Sequence, residues 1–214
     1  MPIRWLTFGG STLTIEYEGA EPARLIDFLY GEIPPEPDGT PQHTYRLTET
    51  AGQFDLYRDD KLICSDKQGA LVADRLQAET CYRLADRSLG GLLFHAGGVA
   101  RLGQGVLLPG TMGAGKTTLT AWLLSQEYDY LTDELVFIAD GQRTMQGFAR
   151  PLNLKPPYQT ALAGLVDFES AEAQILPAHS TDLVPPVLFN PVSRLSQPPL
   201  RLIIFPHYQA GGRI

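Results

Sequence analysis

Eight consecutive residues, Gly110-Thr111-Met112-Gly113-Ala114-Gly115-Lys116-Thr117, carry the spacing G-x-x-x-x-G-K-[ST], the pattern of a loop that wraps a phosphate. Glycines at these positions let backbone N–H groups turn inward around phosphate oxygens where a Cβ would intrude. Lys116 has the reach to touch β- and γ-phosphates. Thr117 and Thr118 begin a helix whose positive end faces the same anion, and the Thr117 hydroxyl is of the kind that ligates Mg2+. Phosphoryl transfer also needs carboxylate near the metal and a group to take the nucleophile's proton. Asp133-Glu134 is the acidic pair on an apolar run after the loop. Strand alternation sends two such side chains to opposite faces unless the strand ends or bulges there. One acid would then serve the metal and the other a base or supporting role. His95 sits in the apolar run that precedes the loop strand; on its own, such a histidine reads as a hydrogen-bonded core residue.

These residues need a strand, a loop and a helix in that order to be useful. Residues 105–109 are apolar and bounded by glycine and proline, as a buried strand would be, and residues 118–125 contain no breaker and place Leu119 and Leu123 on one helical face. Residues 92–100, with His95, predict a strand, and residues 130–138 predict another, interrupted by the two acids. Beyond them the chain is rich in proline, which predicts short strands and long loops, a brief helix near 159–166 and a last strand at 201–205.

The first ninety residues read differently. Leu13, Ile15 and Tyr17 alternate with polar residues, a half-buried strand, and a helix follows over 22–30 with Pro22 at its first position. A proline-rich loop occupies 33–41. Strands at 45–47, 54–57 and 61–64 form a meander with a turn at Asp59-Asp60. A helix over 68–88 places Leu71, Ala78, Tyr82, Ala85 and Leu89 on one face, with Arg75, Glu79, Arg83 and Arg87 as solvated surface. The expected organisation is α/β in class and α+β overall. A small N-terminal α+β module spans residues 1–90, and a nucleotide-binding domain with a mixed sheet spans 91–214, since the second half lacks regular βαβ alternation.

The bulk properties narrow the partners. Of 214 residues, 43% are hydrophobic and 19% charged, which describes a folded globular chain and not a disordered one. A net charge of −7 argues against a nucleic-acid surface. No stretch approaches the ~20 apolar residues of a membrane span. The N-terminus lacks the apolar core of a signal peptide, so a cytoplasmic location is expected. Cys64 and Cys81 belong to no C-x-x-C pair, which predicts two reduced thiols and no cysteine metal site.

His95-Ala-Gly-Gly-Val-Ala, the loop with its strand, and Leu131-Thr-Asp-Glu-Leu-Val together resemble the core of HPr kinase/phosphorylase. That family carries a histidine, a phosphate loop and a tandem Asp-Asp in this order, on a catalytic domain similar to the core of PEP carboxykinase. The resemblance covers residues 92–138 well and the stretch to Tyr208 more weakly. It implies ATP and Mg2+ as cofactors, with Lys116 and Thr117 binding phosphates and metal. Asp133 would be the proton-accepting carboxylate, Glu134 would stand for the second aspartate near the metal, and His95 would line the reaction centre. Residues 147–155 occupy the place of a downstream basic segment, in which Arg150 could contact a phosphate or the acceptor. The implied reaction is phosphoryl transfer to a hydroxyl, a serine of a protein or peptide. HPr kinases form hexamers, so self-association is expected without a copy number. The sequence departs from the family in its Asp-Glu pair, in lacking the glycine-containing signature after the catalytic strand, and in its N-terminal half. It ends at Gly211-Gly-Arg-Ile214, where the family continues into helices that grip its protein substrate. A fragment, or a shorter relative with another acceptor, is therefore expected. Two alternatives stay open: a nucleotide-binding regulatory or scaffold module without catalysis, and a small-molecule kinase.

Overall fold

Apolar–polar alternation in the first half builds one sheet backed by two helices. β1 (Ile3–Phe8) and β2 (Ser11–Glu18) form a hairpin that buries Leu6, Phe8, Leu13 and Ile15. α1 (Ala20–Tyr30) crosses back, so that β3 (His43–Thr50) pairs parallel with β2. β4 (Gln53–Arg58) and β5 (Lys61–Asp66) then continue as an antiparallel meander in the order β1-β2-β3-β4-β5. α1 starts two residues before the expected Pro22, which lies in the first turn, where its missing N–H costs nothing. Asp59 and Asp60, between β4 and β5, have φ of 49° and 62°, the left-handed values that a two-residue hairpin turn requires.

α2 (Gly69–Asp86) corrects the expected helix face. Its buried stripe is Val72, Ala73, Leu76, Gln77, Thr80, Cys81 and Leu84, whereas Ala78 and Tyr82 are exposed and Leu89 lies past the helix end, exposed. Two polar residues disguise that stripe, and one of them is matched inside the core: the Thr80 and Tyr30 hydroxyls lie 2.8 Å apart. Glu79, expected to be solvated, instead accepts from Arg58 at 2.5 Å and Arg75 at 2.7 Å. Both cysteines are free thiols.

The second half is organised around β6 (Gly91–Arg101), β7 (Gln104–Pro109) and α3 (Lys116–Ser125), followed by β8 (Asp129–Thr132), β9 (Leu135–Ala139) and β10 (Gln146–Gly147). Then come β11 (Leu152–Leu154), α4 (Tyr158–Ala161), β12 (Leu176–Pro177), β13 (Asp182–Val184) and β14 (Leu200–Ile203). The main sheet runs β10-β9-β6-β7-β14, with β8 also paired to β6. Only β14 on β7 is parallel, so the sheet is mixed. Val106 and Leu108 of β7 pack with Ala121, Leu123 and Leu124 of α3 on one face; Ala96, Ala100, Leu107, Val136 and Met145 fill the other. A separate three-stranded sheet has the order β11-β13-β12.

The structure is a computed structural model and describes residues 1–34, 39–192 and 196–209. Part of the proline-rich loop at 33–41, Arg194 and the terminal Gly211-Gly-Arg-Ile214 lie outside the described residues. The chain is α+β with mixed sheets. It divides into two compact units, Met1–Gly90 with Pro177–His179, and the described residues from Gly91 onward apart from those three. Among the described residues no helix is long and apolar enough to cross a membrane.

Candidate functional site

β7 ends at Pro109 and α3 begins at Lys116, so the glycine run forms the connection between a buried strand and a helix. Gly113 and Gly115 adopt φ of 83° and 94°, conformations that side chains rarely tolerate, and they give the loop its curl. Gly115 is the N-cap of α3, and no side chain caps the helix. The Lys116 ammonium folds back over the loop and donates to the carbonyls of Gly110 at 2.8 Å and Thr111 at 3.2 Å. The helix is held tightly against the sheet by Gly97 of β6. A Cβ there would come within 2.6 Å of Thr120 Oγ1.

The two acids lie where the strand expected over 130–138 breaks. β8 stops at Thr132 and β9 resumes at Leu135, both paired to β6. The buried Thr132 hydroxyl stabilises the break by accepting the N–H groups of Glu134 at 3.1 Å and Leu135 at 3.3 Å. With the pleat interrupted, the carboxylates do not diverge. Both reach the same nitrogen, Arg150 Nη2, Asp133 Oδ1 at 3.1 Å and Glu134 Oε2 at 2.5 Å.

Their surroundings differ sharply. Asp133 is 1% exposed and accepts from the Asn153 N–H at 3.2 Å and, at a longer 3.4 Å, from the Tyr130 hydroxyl, with the Thr117 hydroxyl near enough to draw its carboxyl down. Burial pushes its carboxyl above the ordinary range, Arg150 draws it down, and Glu134 raises it again; the net direction is up. Burial likewise drives the Tyr130 phenol well above its usual value, so it remains a donor, and it gives its proton to the Arg150 carbonyl at 2.7 Å. Glu134 is 32% exposed, and its second oxygen lies 3.3 Å from Nε2 of the exposed His95.

One cluster therefore gathers Thr117, Asp133, Glu134 and His95 from the sequence expectations, with Lys116 beside Thr117 on the loop. Arg150 joins it as a buried clamp across both acids. Tyr130 and Asn153, not singled out in the sequence, complete the shell around Asp133; an aromatic three residues before an acid and an asparagine after Arg-Pro-Leu give no signal of a site. Thr111, Met112, Ala114 and Thr118 contribute backbone to the loop and helix start. The hydroxyl and carboxylate oxygens are the hard donors that Mg2+ takes, and that ion needs only one or two carboxylates when phosphates complete its shell. The guanidinium already places positive charge against both acids. Among the described residues no group of three or more His, Cys, Asp or Glu forms a metal cage. No protein-family model, curated protein or solved structure matches the chain.

Proposed function

We propose that this chain binds ATP with Mg2+ and transfers the terminal phosphoryl group to a hydroxyl, a serine of a protein or peptide, in the manner of HPr kinases. It would use a phosphate-loop domain with a mixed sheet of the HPr kinase/PEP carboxykinase type. The observation that carries the reading is the closeness of Thr117, at the end of the glycine loop, to Asp133, at the strand break, where its hydroxyl draws the Asp133 carboxyl down. It brings a phosphate cradle and an acidic pair to one point, which neither element explains alone. The same reading expects a cytoplasmic protein that self-associates and gives no role to nucleic acid or a membrane.

Bound Mg2+ supplies charge neutralisation at the phosphates. Lys116 exchanges its two loop carbonyls for phosphate oxygens, and the loop N–H groups and the start of α3 hold the rest. Thr117 and Asp133 would hold the metal. Glu134, open to solvent and oriented by His95, is the carboxylate that an incoming hydroxyl can reach. As the hydroxyl oxygen bonds to phosphorus, its proton passes to Glu134, the bond to the bridging oxygen breaks, and the diphosphate leaves. This assigns the two acids in the reverse of the roles implied by the family resemblance.

The test is transfer of labelled phosphate from ATP in the full chain. Lys116→Ala lowers transfer by about 10²–10³-fold, the usual cost of one preorganised charge-stabilising group. Asp133→Asn raises the Mg2+ concentration needed, whereas Glu134→Gln lowers the rate at saturating Mg2+. Wild-type transfer by Lys116→Ala would refute the reading. A second reading, a nucleotide-binding module without turnover, is favoured by the Arg150 clamp, which satisfies both acids without a metal. It predicts nucleotide binding with no transfer by the wild type.

A further inference from the structure

β7 and β14 are parallel neighbours, so both open at their carboxyl ends on the same edge of the sheet, the edge where open α/β sheets take ligands. β7 delivers the glycine loop there. From β14 the chain runs on past that loop: the Ile204 N–H donates to the Leu107 carbonyl at 2.9 Å, and Pro206 and Tyr208 follow alongside the glycines. Side-chain atoms of Pro206 and Tyr208 lie 3.7 Å from where a Cβ would stand on Gly110 and Gly115, respectively. Tyr208 thus stands beside Gly115, the N-cap of α3, while 70% of the residue remains exposed.

The two flanks of β7 differ. The acids lie on the β6 side, because β8 and β9 both pair with β6. A triphosphate whose γ-end faces those acids directs its nucleoside away from them, toward the β14 side. There an exposed aromatic stands level with the helix start. Phe205 is also 75% exposed, but it leaves β14 earlier, only two residues beyond the Ile203 pairing with Leu107.

We propose that Tyr208 is the stacking platform for the purine base of the nucleotide whose phosphates occupy the glycine loop. The proposal rests on the nucleotide-binding reading above. A ring face binds a base without reading its edges, so the platform contributes affinity and not base identity.

The experiment is isothermal titration of the full chain, with Mg2+, against two probes: ATP, and inorganic tripolyphosphate, which lacks the base. Tyr208→Ala weakens ATP about tenfold and leaves tripolyphosphate unchanged, while Tyr208→Trp retains ATP affinity. Phe205→Ala changes neither. Unaltered ATP binding in Tyr208→Ala overturns the proposal, as does an equal loss for both probes, which would mean that the loop itself had been disturbed. A loss in Phe205→Ala matching that in Tyr208→Ala overturns the choice of residue. If the wild type binds neither probe, the nucleotide reading fails and the platform with it; if it binds both alike, only the platform fails.

Discussion

Arg150 is the residue on which the electrostatics of the cluster turn. Its side chain is 2% exposed and meets two carboxylates through one nitrogen, while its carbonyl receives the Tyr130 hydroxyl. Burying such charges is tolerable only because they neutralise one another, and removing one partner strands the others in a poorly solvated place. Arg150→Met is therefore expected to destabilise the chain by about 3–5 kcal/mol in urea unfolding. Adding Asp133→Asn to the same chain should recover part of that loss, because the carboxylate left without its cation is then neutral. Additive losses would mean that the guanidinium acts by packing and not by charge. This is also where the sequence stops being legible. The glycine loop is readable because its spacing encodes backbone conformations, and Gly113 and Gly115 hold them. Arg150 and Asn153 come to the acidic pair across sixteen or more residues of chain, through a fold whose prolines carry no periodicity.

Elements were legible where one period ruled and illegible where polar groups entered the core. β2 to β5 follow from alternation, and α3 from its position after the loop. The α2 face departs from its hydrophobic pattern because Thr80 and Gln77 are buried while Tyr82 is exposed. β1 has no such signature because Arg4 and Trp5 interrupt its alternation. The pair at Asp133-Glu134 shows the opposite case: the strand was visible, but its break depends on a single threonine cap. The β4–β5 turn supplies a test at this scale. Asp59 Oδ2 lies 2.6 Å from His43 Nδ1, and its other oxygen accepts the Thr44 N–H at 3.0 Å. Burial raises the Asp59 carboxyl, but these bonds outweigh it and hold the group below its ordinary value of 3.8. A depressed carboxyl stabilises the fold above that ordinary value and ceases to do so as the pH falls through the lower, folded value. Asp59→Asn keeps the acceptor for Thr44 but loses the charge. Its unfolding free energy should therefore fall short of wild type at neutral pH and converge with it below about pH 4. A gap that persists on acidification would assign the effect to turn geometry.

At the scale of the whole molecule, each unit carries its own apolar core, and every residue placed at the candidate site belongs to the second. β2 and β3 of the first unit are organised by Leu13, Ile15, Tyr45 and Leu47. A ligand that binds only the native form of a unit stabilises that unit by RT ln(1 + [L]/Kd), about 2.7 kcal/mol at a hundredfold excess over Kd. ATP with Mg2+ should therefore slow amide exchange in the second unit, most at α3 and the start of β6, where opening the cradle is coupled to losing the ligand. Exchange in α2 and β4 of the first unit should stay at its ligand-free rate. Hydrogen exchange followed by mass spectrometry, with and without saturating nucleotide, separates the outcomes. Protection confined to the second unit makes the first an independent module available to a partner while the nucleotide is held. Equal protection in both would make the first unit part of the nucleotide response. Lys116→Ala, which removes the charge but not the fold of the loop, should abolish the protection in either case.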